Sequence, residues 1–350
     1  MKRQEITNQK GEIEFRRKLV QHQIGGENFF GDEEHDPETG KIVLKERMDV
    51  TLARMTQLRA TGIPLSPYIE IGAERGQRSL VMENDMQASG AALDISFDML
   101  RTCEHYQKLF NQAKVPARLC IDANNLPFKS DSIPFVFCYE FLHHFPDPGP
   151  IVAEIYRVLQ PGGYFAFEEE PYKKVMHWDL YDGEKSNSQS KKKRNIVLKV
   201  CDRFLARNTC NEVLHNVIEN DRISIGQWKN ALKVFKNKQA RLRPTPRFSF
   251  GSELFNPPSQ MKYLASYLLG GSISGLCRKD PGEASGLTSI EAALICPSCK
   301  EQGNEEPLSQ SQSIFTCTKC SKKYPVVDGV AFLFEYKRFM ELYPEVFKAI

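Results

Sequence analysis

Residues 68–77 read YIEIGAERGQ, and this stretch decides the fold. Four residues typical of a buried strand run into a turn that contains Gly72 and Gly76, and a helical pattern begins at Gln77. Glycine lacks a Cβ, so such a turn lets the backbone come close to a ligand. The same turn could also be only a tight connection between a strand and a helix. The sequence on either side has to decide between these interpretations.

Further short apolar runs follow this turn and alternate with helical stretches. Because each run is apolar throughout, it is typical of a parallel strand that is covered on both faces. The alternation predicts an open, doubly wound α/β sheet. Two more strand candidates with a helix between them, at 258–269, would complete the sheet near residue 280. The strand candidates are 90–95, 117–122, 134–140, 163–169, 240–250 and 270–280, and the other helices are 77–87, 97–112 and 150–159.

Three carboxylates end the first three strands of this pattern: Glu70, Asp94 and Asp122. In open α/β sheets, ligands bind in the crevice outside the carboxyl ends of the strands. An acidic residue at the end of the second strand can accept hydrogen bonds from ribose hydroxyls, and Asp94 has this position. The Asp122 carboxylate or the Ala123 amide could face an adenine edge. The sequence therefore predicts a nucleotide pocket.

Residues 65–172 resemble a known family. The segments IEIGAERGQ, ALDIS, DANNLPF, FVFCYEFLHHFPDP and RVLQPGGYFAFEE are similar, in order and spacing, to the motifs of class I S-adenosylmethionine (SAM)-dependent methyltransferases. The similarity is to the branch related to ubiquinone-biosynthesis methyltransferases. A nicotinamide dehydrogenase could share the glycine turn and the acidic strand end, but not the LPF, LHHF and LQPGG segments.

The resemblance implies a seven-stranded Rossmann-like methyltransferase sheet with SAM in its crevice. Gly72 would lie beside the methionine part, Asp94 at the ribose, and Asp122 with Ala123 near the adenine. The family usually has another glycine where Glu74 stands, so Glu74 has to avoid a backbone conformation open only to glycine. The candidate cofactor-binding residues are Glu70, Gly72, Gly76, Asp94, Ile95, Asp122 and Ala123.

Methyl transfer to a hydroxyl or amine needs a base as well as alignment of the acceptor. The candidate catalytic residues follow the fourth and fifth strands: Glu140, His143, His144 and Glu169. We expect one histidine to be packed beneath the cofactor and the other to face the acceptor as the base, since histidine has a near-neutral pKa. A metal site at the histidine pair is disfavoured because adjacent side chains point in different directions. Because side chains alternate along a strand, we expect that not all of Glu168–Glu170 face inward.

Two C-x-x-C pairs stand near the C-terminus: Cys296 with Cys299, and Cys317 with Cys320. Four thiolates at this spacing predict tetrahedral Zn²⁺, and four protein ligands leave no open position, so the metal would be structural. With the following segment KKYPVVDGVAFLF, the cysteines look like the zinc-ribbon family of the small activator subunit of RNA and protein methyltransferases. That resemblance implies a module that stabilises or orients the catalytic domain.

These features predict four regions: a polar, irregular N-terminal extension (1–44), a methyltransferase domain (45–282), a linker (283–292) and a zinc-ribbon domain with a C-terminal helix (293–350). We expect a helix over 43–60 and a helical insert over the acceptor pocket at 172–240. With no signal peptide or membrane-spanning stretch, we expect the cytoplasm. The other cysteines would be buried thiols in such a reducing compartment: Cys103, Cys120, Cys138, Cys201, Cys210 and Cys277.

The hypotheses about function differ in the molecule that accepts the methyl group. A net charge of only +3 favours a small-molecule, sugar or lipid-linked acceptor over RNA. An RNA acceptor, bound by the zinc ribbon and the basic run 191–194, is the alternative, and a non-catalytic SAM-binding partner protein is another. The sequence does not name the acceptor atom or the oligomeric state.

Overall fold

The computed structural model describes residues 2–25, 37–173, 175, 181–182, 206–207, 217, 220, 222–244, 250–283 and 285–349. The helices are α1 (Lys2–Gly25), α2 (Pro37–Ala60), α3 (Gln77–Asn84), α4 (Phe97–Arg101), α5 (Cys103–Leu109), α6 (Gly149–Val158), α7 (Ile225–Ala231), α8 (Gln260–Leu269), α9 (Pro297–Lys300), α10 (Tyr336–Leu342) and α11 (Pro344–Phe347). The strands are β1 (Tyr68–Ile71), β2 (Gly90–Asp94), β3 (Ala117–Cys120), β4 (Ile133–Tyr139), β5 (Leu159–Tyr172), β6 (Tyr181–Asp182), β7 (Ala206–Arg207), β8 (Asn237–Pro244), β9 (Ser252–Glu253), β10 (Gly271–Arg278), β11 (Leu308–Ser311), β12 (Ile314–Cys317), β13 (Lys323–Val327) and β14 (Val330–Phe332).

The strands from β1 to β5 form the parallel centre of an α/β sheet, in the order β3-β2-β1-β4-β5. Each residue of β1 and β4 is buried, because helices cover both faces. Helices α6 and α7 pack on one face, and α2 and α3 on the other. The predicted doubly wound architecture is thus confirmed. It brings the carboxyl ends of the parallel strands to one edge of the sheet.

The main sheet is larger than predicted. Across the described residues it has 12 strands, in the order β11-β12-β13-β14-β3-β2-β1-β4-β5-β10-β8-β9. The prediction of a seven-stranded sheet is therefore wrong, although the seven strands from β3 to β8 lie together within this order. The sheet grows because β3 would otherwise be an open edge, whose free N–H and C=O groups can pair with another strand. β14 occupies that edge in parallel register.

The C-terminal segment is consequently joined to the α/β sheet instead of standing apart from it. Lys300, at the end of α9, places its Nζ 2.5 Å from Glu154 Oε1 on α6 and 2.6 Å from Asn125 Oδ1. Asn125 in turn donates to the carbonyl oxygen of Pro297. These contacts are largely shielded from water, and such charge-assisted bonds fix the orientation of the two surfaces.

The N-terminal region corrects the prediction of irregular structure. Residues 2–25 form α1, and α2 begins at Pro37, before the start expected for the 43–60 helix. The buried positions of α2, which are Leu44, Met48, Thr51, Met55 and Leu58, recur at helical spacing. In α1, Ile13 packs in a cluster with Phe332 and Leu100, and Leu19 and Val20 pack on Met99. Tertiary contacts of this kind stabilise a helix whose own sequence is mostly polar.

Several predictions fall outside the described residues. These are the basic run 191–194, most of the 172–240 insert, and Cys201 and Cys210. The described part of the insert contains the short strands β6 and β7, and α7 with its capping box between Ser224 and Gln227. Cys103, Cys120, Cys138 and Cys277 are buried free thiols, as expected. None of the described helices combines the length and the apolar character that a bilayer span requires.

Candidate functional site

A crevice opens at the carboxyl ends of β1 to β4. The strand ends supply its floor and two sides, and α1 lies over it. This is the position in which open α/β sheets bind nucleotides. The residues that line it are Asn8, Gln9, Glu12, Arg16, Arg47, Ile71, Gly72, Glu74, Arg78, Leu93, Asp94, Ile95, Met99, Ile121, Asp122, Ala123, Tyr139, Glu140, Phe141, His144 and Phe145.

Gly72 lies in this crevice with a φ of +72°, a conformation that glycine adopts at no steric cost. A Cβ at this position would lie 2.4 Å from the Phe141 ring. Gly76 has the same φ, and its Cβ would lie 2.9 Å from Cys103 Sγ. Gly76 does not line the crevice. The absence of a Cβ at this position instead allows the turn to pack closely against α5. Only Gly72 brings bare backbone to the cavity.

Glu74 replaces the family's glycine without a glycine-only conformation, because its φ is +49°, in the left-handed helical region. Its carboxylate accepts from Arg47 Nη1 at 3.2 Å and Gln77 Nε2 at 3.0 Å, and Arg16 Nη1 is 3.7 Å away. Although burial opposes the charge, Arg47 and Arg16 hold the pKa of the Glu74 carboxyl well below its usual range. The turn therefore carries a fixed negative charge that faces two arginines.

Asp94 is held in place by two backbone donors. Its Oδ2 accepts from the Glu74 amide and its Oδ1 from the Ser96 amide, both at 2.8 Å. Burial raises the pKa of the Asp94 carboxyl to about 7, against the lowering effect of these two amides. Each carboxylate oxygen has a further lone pair for a hydroxyl donor. Asp94 and Ile95 both line the crevice, as the nucleotide-pocket prediction requires.

Asp122 and Ala123 line the next part of the crevice. Asp122 Oδ1 accepts from the Asn124 amide at 2.9 Å, which caps a single 3₁₀ turn over residues 123–125. Arg338 of α10 places its Nε 3.4 Å from Asp122 Oδ2. No sequence pattern predicts this ion pair, because the two residues are far apart along the chain.

Glu70 lies outside the crevice lining. Its side chain is buried beneath the turn, where Oε2 accepts from Ser79 Oγ at 2.6 Å. Burial raises the pKa of the Glu70 carboxyl to about 7. The structure thus places Glu70 between β1 and α3, one layer away from the cavity.

The two histidines have different surroundings. His143 is buried, with Nδ1 3.0 Å from Glu170 Oε2. The Glu170 carboxylate also accepts from the amides of Phe141, Leu142 and His143. His144 lines the crevice, and its ring lies 4.4 Å from that of His143. The two rings lie side by side on a 3₁₀ turn over 142–144, and of the two histidines it is His144 that lines the crevice.

The two glutamates proposed as bases are also separated. Glu140 lines the crevice, and its φ of +46° is rare for a residue other than glycine. Glu169 is exposed and does not line it; its amide donates to Ser274 Oγ on β10. Glu140 and His144 are therefore the candidate catalytic residues that the structure brings together at one side of the cavity.

Some lining residues were missed by the sequence analysis. Asn8, Gln9, Glu12 and Arg16 come from α1, and Arg47 from α2. The first four stand in a region that was expected to be irregular, and their polar character suggested a solvated surface. Arg78 and Tyr139 also line the crevice, with the Arg78 guanidinium 4.4 Å from the centre of the Tyr139 ring.

The four cysteines of the C-x-x-C pairs converge on one point. Their Sγ atoms all lie within 4.8 Å of one another, with Cys296 to Cys320 at 3.6 Å and Cys299 to Cys317 at 3.8 Å. A tetrahedral Zn²⁺ with Zn–S bonds of about 2.3 Å separates its sulfurs by roughly 3.8 Å. Tyr324 Oη lies 3.1 Å from Cys296 Sγ, which is a hydrogen bond to a prospective ligand sulfur. The geometry fits a four-thiolate zinc site.

Fold and crevice together describe an α/β domain with a nucleotide-type pocket. Comparison with known proteins gives the class: residues 69–167 match the family model described as a methyltransferase domain. This segment contains Gly72, Asp94, Asp122, Glu140 and His144, but not α1 or the cysteine cluster.

Relatives are similar over limited lengths. An uncharacterised chloroplastic methyltransferase of Arabidopsis thaliana is 38% identical over 91 residues, which are 25% of this chain and 25% of that protein. The phthiotriol/phenolphthiotriol dimycocerosates methyltransferase of Mycobacterium leprae is 32% identical over 123 residues, which are 35% of this chain and 43% of that protein. The chain thus spans less than half the length of these curated relatives.

Among solved structures, the complex of the Haloferax volcanii Trm112 methyltransferase activator with a methyltransferase has a TM-score of 0.38 and 16% identity. The match covers 69% of this chain and 94% of that chain. A similarity this low is too weak to support an argument about function.

Proposed function

We propose that the protein transfers a methyl group from SAM to a small-molecule, sugar or lipid-linked acceptor. The observation that carries the proposal is Asp94, fixed by two amides at the end of β2 and facing the cavity beside the bare backbone of Gly72. A carboxylate preset in this way can accept from ribose hydroxyls without further reorganisation. The methyltransferase-domain match over residues 69–167 supports the same choice of cofactor.

The residues present fit SAM in one orientation. Asp94 would take the ribose, Asp122 and the Ala123 amide the adenine, and the glycine turn the methionine part. SAM supplies a methyl group already activated on a positive sulfur. The chain then has mainly to align the acceptor, and alignment alone can supply roughly 7–11 kcal/mol of the barrier.

His144 or Glu140, which line the cavity, would act as the general base that removes the proton from the acceptor. His143 has a positioning role: its contact with Glu170 holds the 3₁₀ turn from which His144 projects. Phe141 and Phe145 line the same side and provide an apolar surface for the acceptor. A lipid-linked acceptor agrees with the Mycobacterium leprae relative, a phthiotriol/phenolphthiotriol dimycocerosates methyltransferase.

The cysteine cluster is proposed to hold one structural Zn²⁺. Its four sulfurs leave no position for a substrate, so the metal takes no part in the chemistry. Its role would be to fix the hairpins β11–β14, which extend the sheet beside β3. The finer likeness to a methyltransferase-activator subunit remains part of this proposal.

Calorimetry with SAM and S-adenosylhomocysteine tests the cofactor assignment. We expect binding by the wild-type protein and at least tenfold weaker binding by Asp94→Asn. The asparagine amide would direct an N–H donor at ribose hydroxyls that also need to donate. Asp85→Asn is the matched control: Asp85 is exposed at the end of α3 and does not line the crevice. Absence of binding by the wild-type protein would refute the proposal.

A further inference from the structure

Helix α1 carries a row of polar side chains along the crevice. Glu5, Gln9, Glu12 and Arg16 are spaced by four, three and four residues, which places them on one face of the helix. At one end, Glu5 Oε1 lies 3.4 Å from Asn124 Nδ2 and 3.0 Å from Arg338 Nη2, beside Asp122. At the other end, Arg16 pairs with Glu12 and approaches Glu74. The row therefore runs from the proposed adenine end to the glycine turn.

The length of this row suits an extended nucleoside. Eleven residues separate Glu5 from Arg16, and a helix rises about 1.5 Å per residue, so the row spans about 16 Å. Gln9 and Glu12 stand between the two ends and line the cavity. The remaining wall of the cavity is therefore polar, and it faces the two acidic strand ends, Asp94 and Asp122.

Apolar residues outside the polar row pack α1 against the rest of the protein. Ile13 is buried against Ala73, Leu100 and Phe332, and Leu19 and Val20 pack on Met99. Arg17 adds an ion pair, with its Nε 3.0 Å from Asp98 Oδ2. The helix is thus anchored by contacts that do not involve Gln9, so the Gln9 side chain is open to serve a ligand in the cavity.

Gln9 contains an unsatisfied group at the middle of this wall. Its Oε1 is buried, and within the described residues it has no hydrogen-bond partner. Buried polar atoms in native proteins almost always have a partner, and an exception at a cavity points to a ligand or an ordered water. An amide oxygen can only accept, so the missing partner is an N–H or O–H donor.

We propose that α1 forms the fourth wall of the cofactor site and that Gln9 Oε1 accepts a hydrogen bond from the nucleoside of SAM. The donor is the adenine amino group or a ribose hydroxyl, since Gln9 lies one helical turn from Glu5 and the Asp122 end. This inference rests on the proposed function and adds to it a binding residue outside the segment that matches the methyltransferase-domain model.

The test compares S-adenosylhomocysteine binding by the wild-type protein, Gln9→Leu and Lys10→Leu. Lys10 is exposed on the other side of α1, so Lys10→Leu controls for a new leucine in the same helix. We expect about tenfold weaker binding by Gln9→Leu, the loss of one hydrogen bond, and unchanged binding by Lys10→Leu. Thermal unfolding without ligand should not be lowered in Gln9→Leu, since no bond within the protein is removed.

S-inosylhomocysteine, which lacks the adenine amino group, identifies the donor. If the adenine amino group donates, the wild-type protein binds S-adenosylhomocysteine more tightly than S-inosylhomocysteine, and Gln9→Leu binds the two ligands equally. If a ribose hydroxyl donates, Gln9→Leu weakens both ligands equally. Wild-type affinity of Gln9→Leu for both ligands would overturn the inference, and failure of the wild-type protein to bind either would instead count against the proposed function.

Discussion

His143 and His144 are adjacent in sequence but differ in what each can do. His144 lines the cavity, while His143 is buried against Glu170. We expect His144→Ala to lower turnover by about 10²–10⁴-fold with little change in SAM affinity, the range typical of a lost general base. His143→Ala should lower the melting temperature, because it removes a buried partner of Glu170.

Single-turnover methyl transfer and calorimetry on both variants separate these effects. Normal turnover in His144→Ala would leave Glu140 as the base candidate, and Glu140→Gln would then be expected to show the loss. A melting temperature of His143→Ala equal to that of the wild type would contradict the positioning role.

The raised pKa of Glu70 predicts that the stability of the protein depends on pH. Burial raises its folded-state pKa to about 7, above the ordinary value of 4.5. The folded state therefore binds this proton more tightly than the unfolded state, so the group's contribution to stability is present below pH 4.5 and is lost as pH rises through 7. Glu70→Gln, which keeps an acceptor for Ser79 Oγ, should escape this loss.

Denaturant unfolding of both proteins at pH 5 and pH 8 measures the difference. We expect the stability of Glu70→Gln relative to the wild type to rise between these pH values by up to about 3 kcal/mol, the equivalent of the pKa shift. Ser79→Ala is a useful comparison, since it removes the partner and keeps the titrating group. A pH-independent difference between Glu70→Gln and the wild type would contradict the assignment.

Placement in the crevice could be predicted from the sequence where a strand end determines the direction of a side chain, whereas cofactor binding by these residues stays a prediction. Asp94, Ile95, Asp122 and Ala123 lie in the crevice because parallel strands end at one edge. The sequence could not decide between His143 and His144, because the direction of each depends on a 3₁₀ turn held by Glu170, 27 residues later. Glu70 lies outside the crevice lining because the next strand residue, Ile71, faces the cavity, and successive side chains on a strand point to opposite faces.

At the scale of elements, the cysteine hairpins and the α/β strands depend on each other through β14 and β3. Loss of Zn²⁺ should release β11–β13 and weaken this pairing, because a short ribbon has little apolar core of its own. We expect Cys317→Ser to contain less than about a tenth of one zinc per chain and to melt well below the wild type, which should contain one zinc per chain.

Metal analysis by mass spectrometry, with thermal unfolding before and after chelation, checks this expectation. Cys277→Ser is the control, since it changes an equally buried thiol on β10 that is far from the cluster in the strand order. Zinc content in Cys317→Ser equal to that of the control would argue against a four-thiolate site.

Elements were predicted well where their hydrophobic pattern is local, as in β1 to β5 and α8. The sequence could not show that the ribbon strands extend the main sheet, because the β14–β3 pairing joins segments more than 200 residues apart. It missed α1 for a different reason. The polar face of α1 lies over a crevice, and in sequence such a face cannot be distinguished from one that faces solvent.

For the molecule as a whole, the C-terminal helices connect the zinc segment to the crevice. Tyr343, fully buried after α10, donates from Oη to the Ile95 carbonyl oxygen at 2.6 Å and accepts from the Phe97 amide at 3.0 Å. Arg338 meets Asp122 and Glu5. The loops after β2 and β3, both proposed to hold the nucleoside, are therefore fixed from behind by residues that follow the ribbon.

This arrangement predicts that a single hydroxyl distant from the cavity tunes cofactor affinity. Tyr343→Phe leaves the Phe97 amide without its buried partner and leaves the Ile95 carbonyl with the Cys120 thiol alone, which costs about 1–3 kcal/mol of stability. Because Ile95 lines the cavity, part of this cost should appear as several-fold weaker SAM binding, with the zinc content unchanged. Tyr336→Phe is the matched control: among the described residues, its hydroxyl bonds only the Lys323 backbone within the zinc segment. Calorimetry should show weaker binding in Tyr343→Phe alone, and equal affinities in the two variants would show that the C-terminal helices support the fold without acting on the crevice.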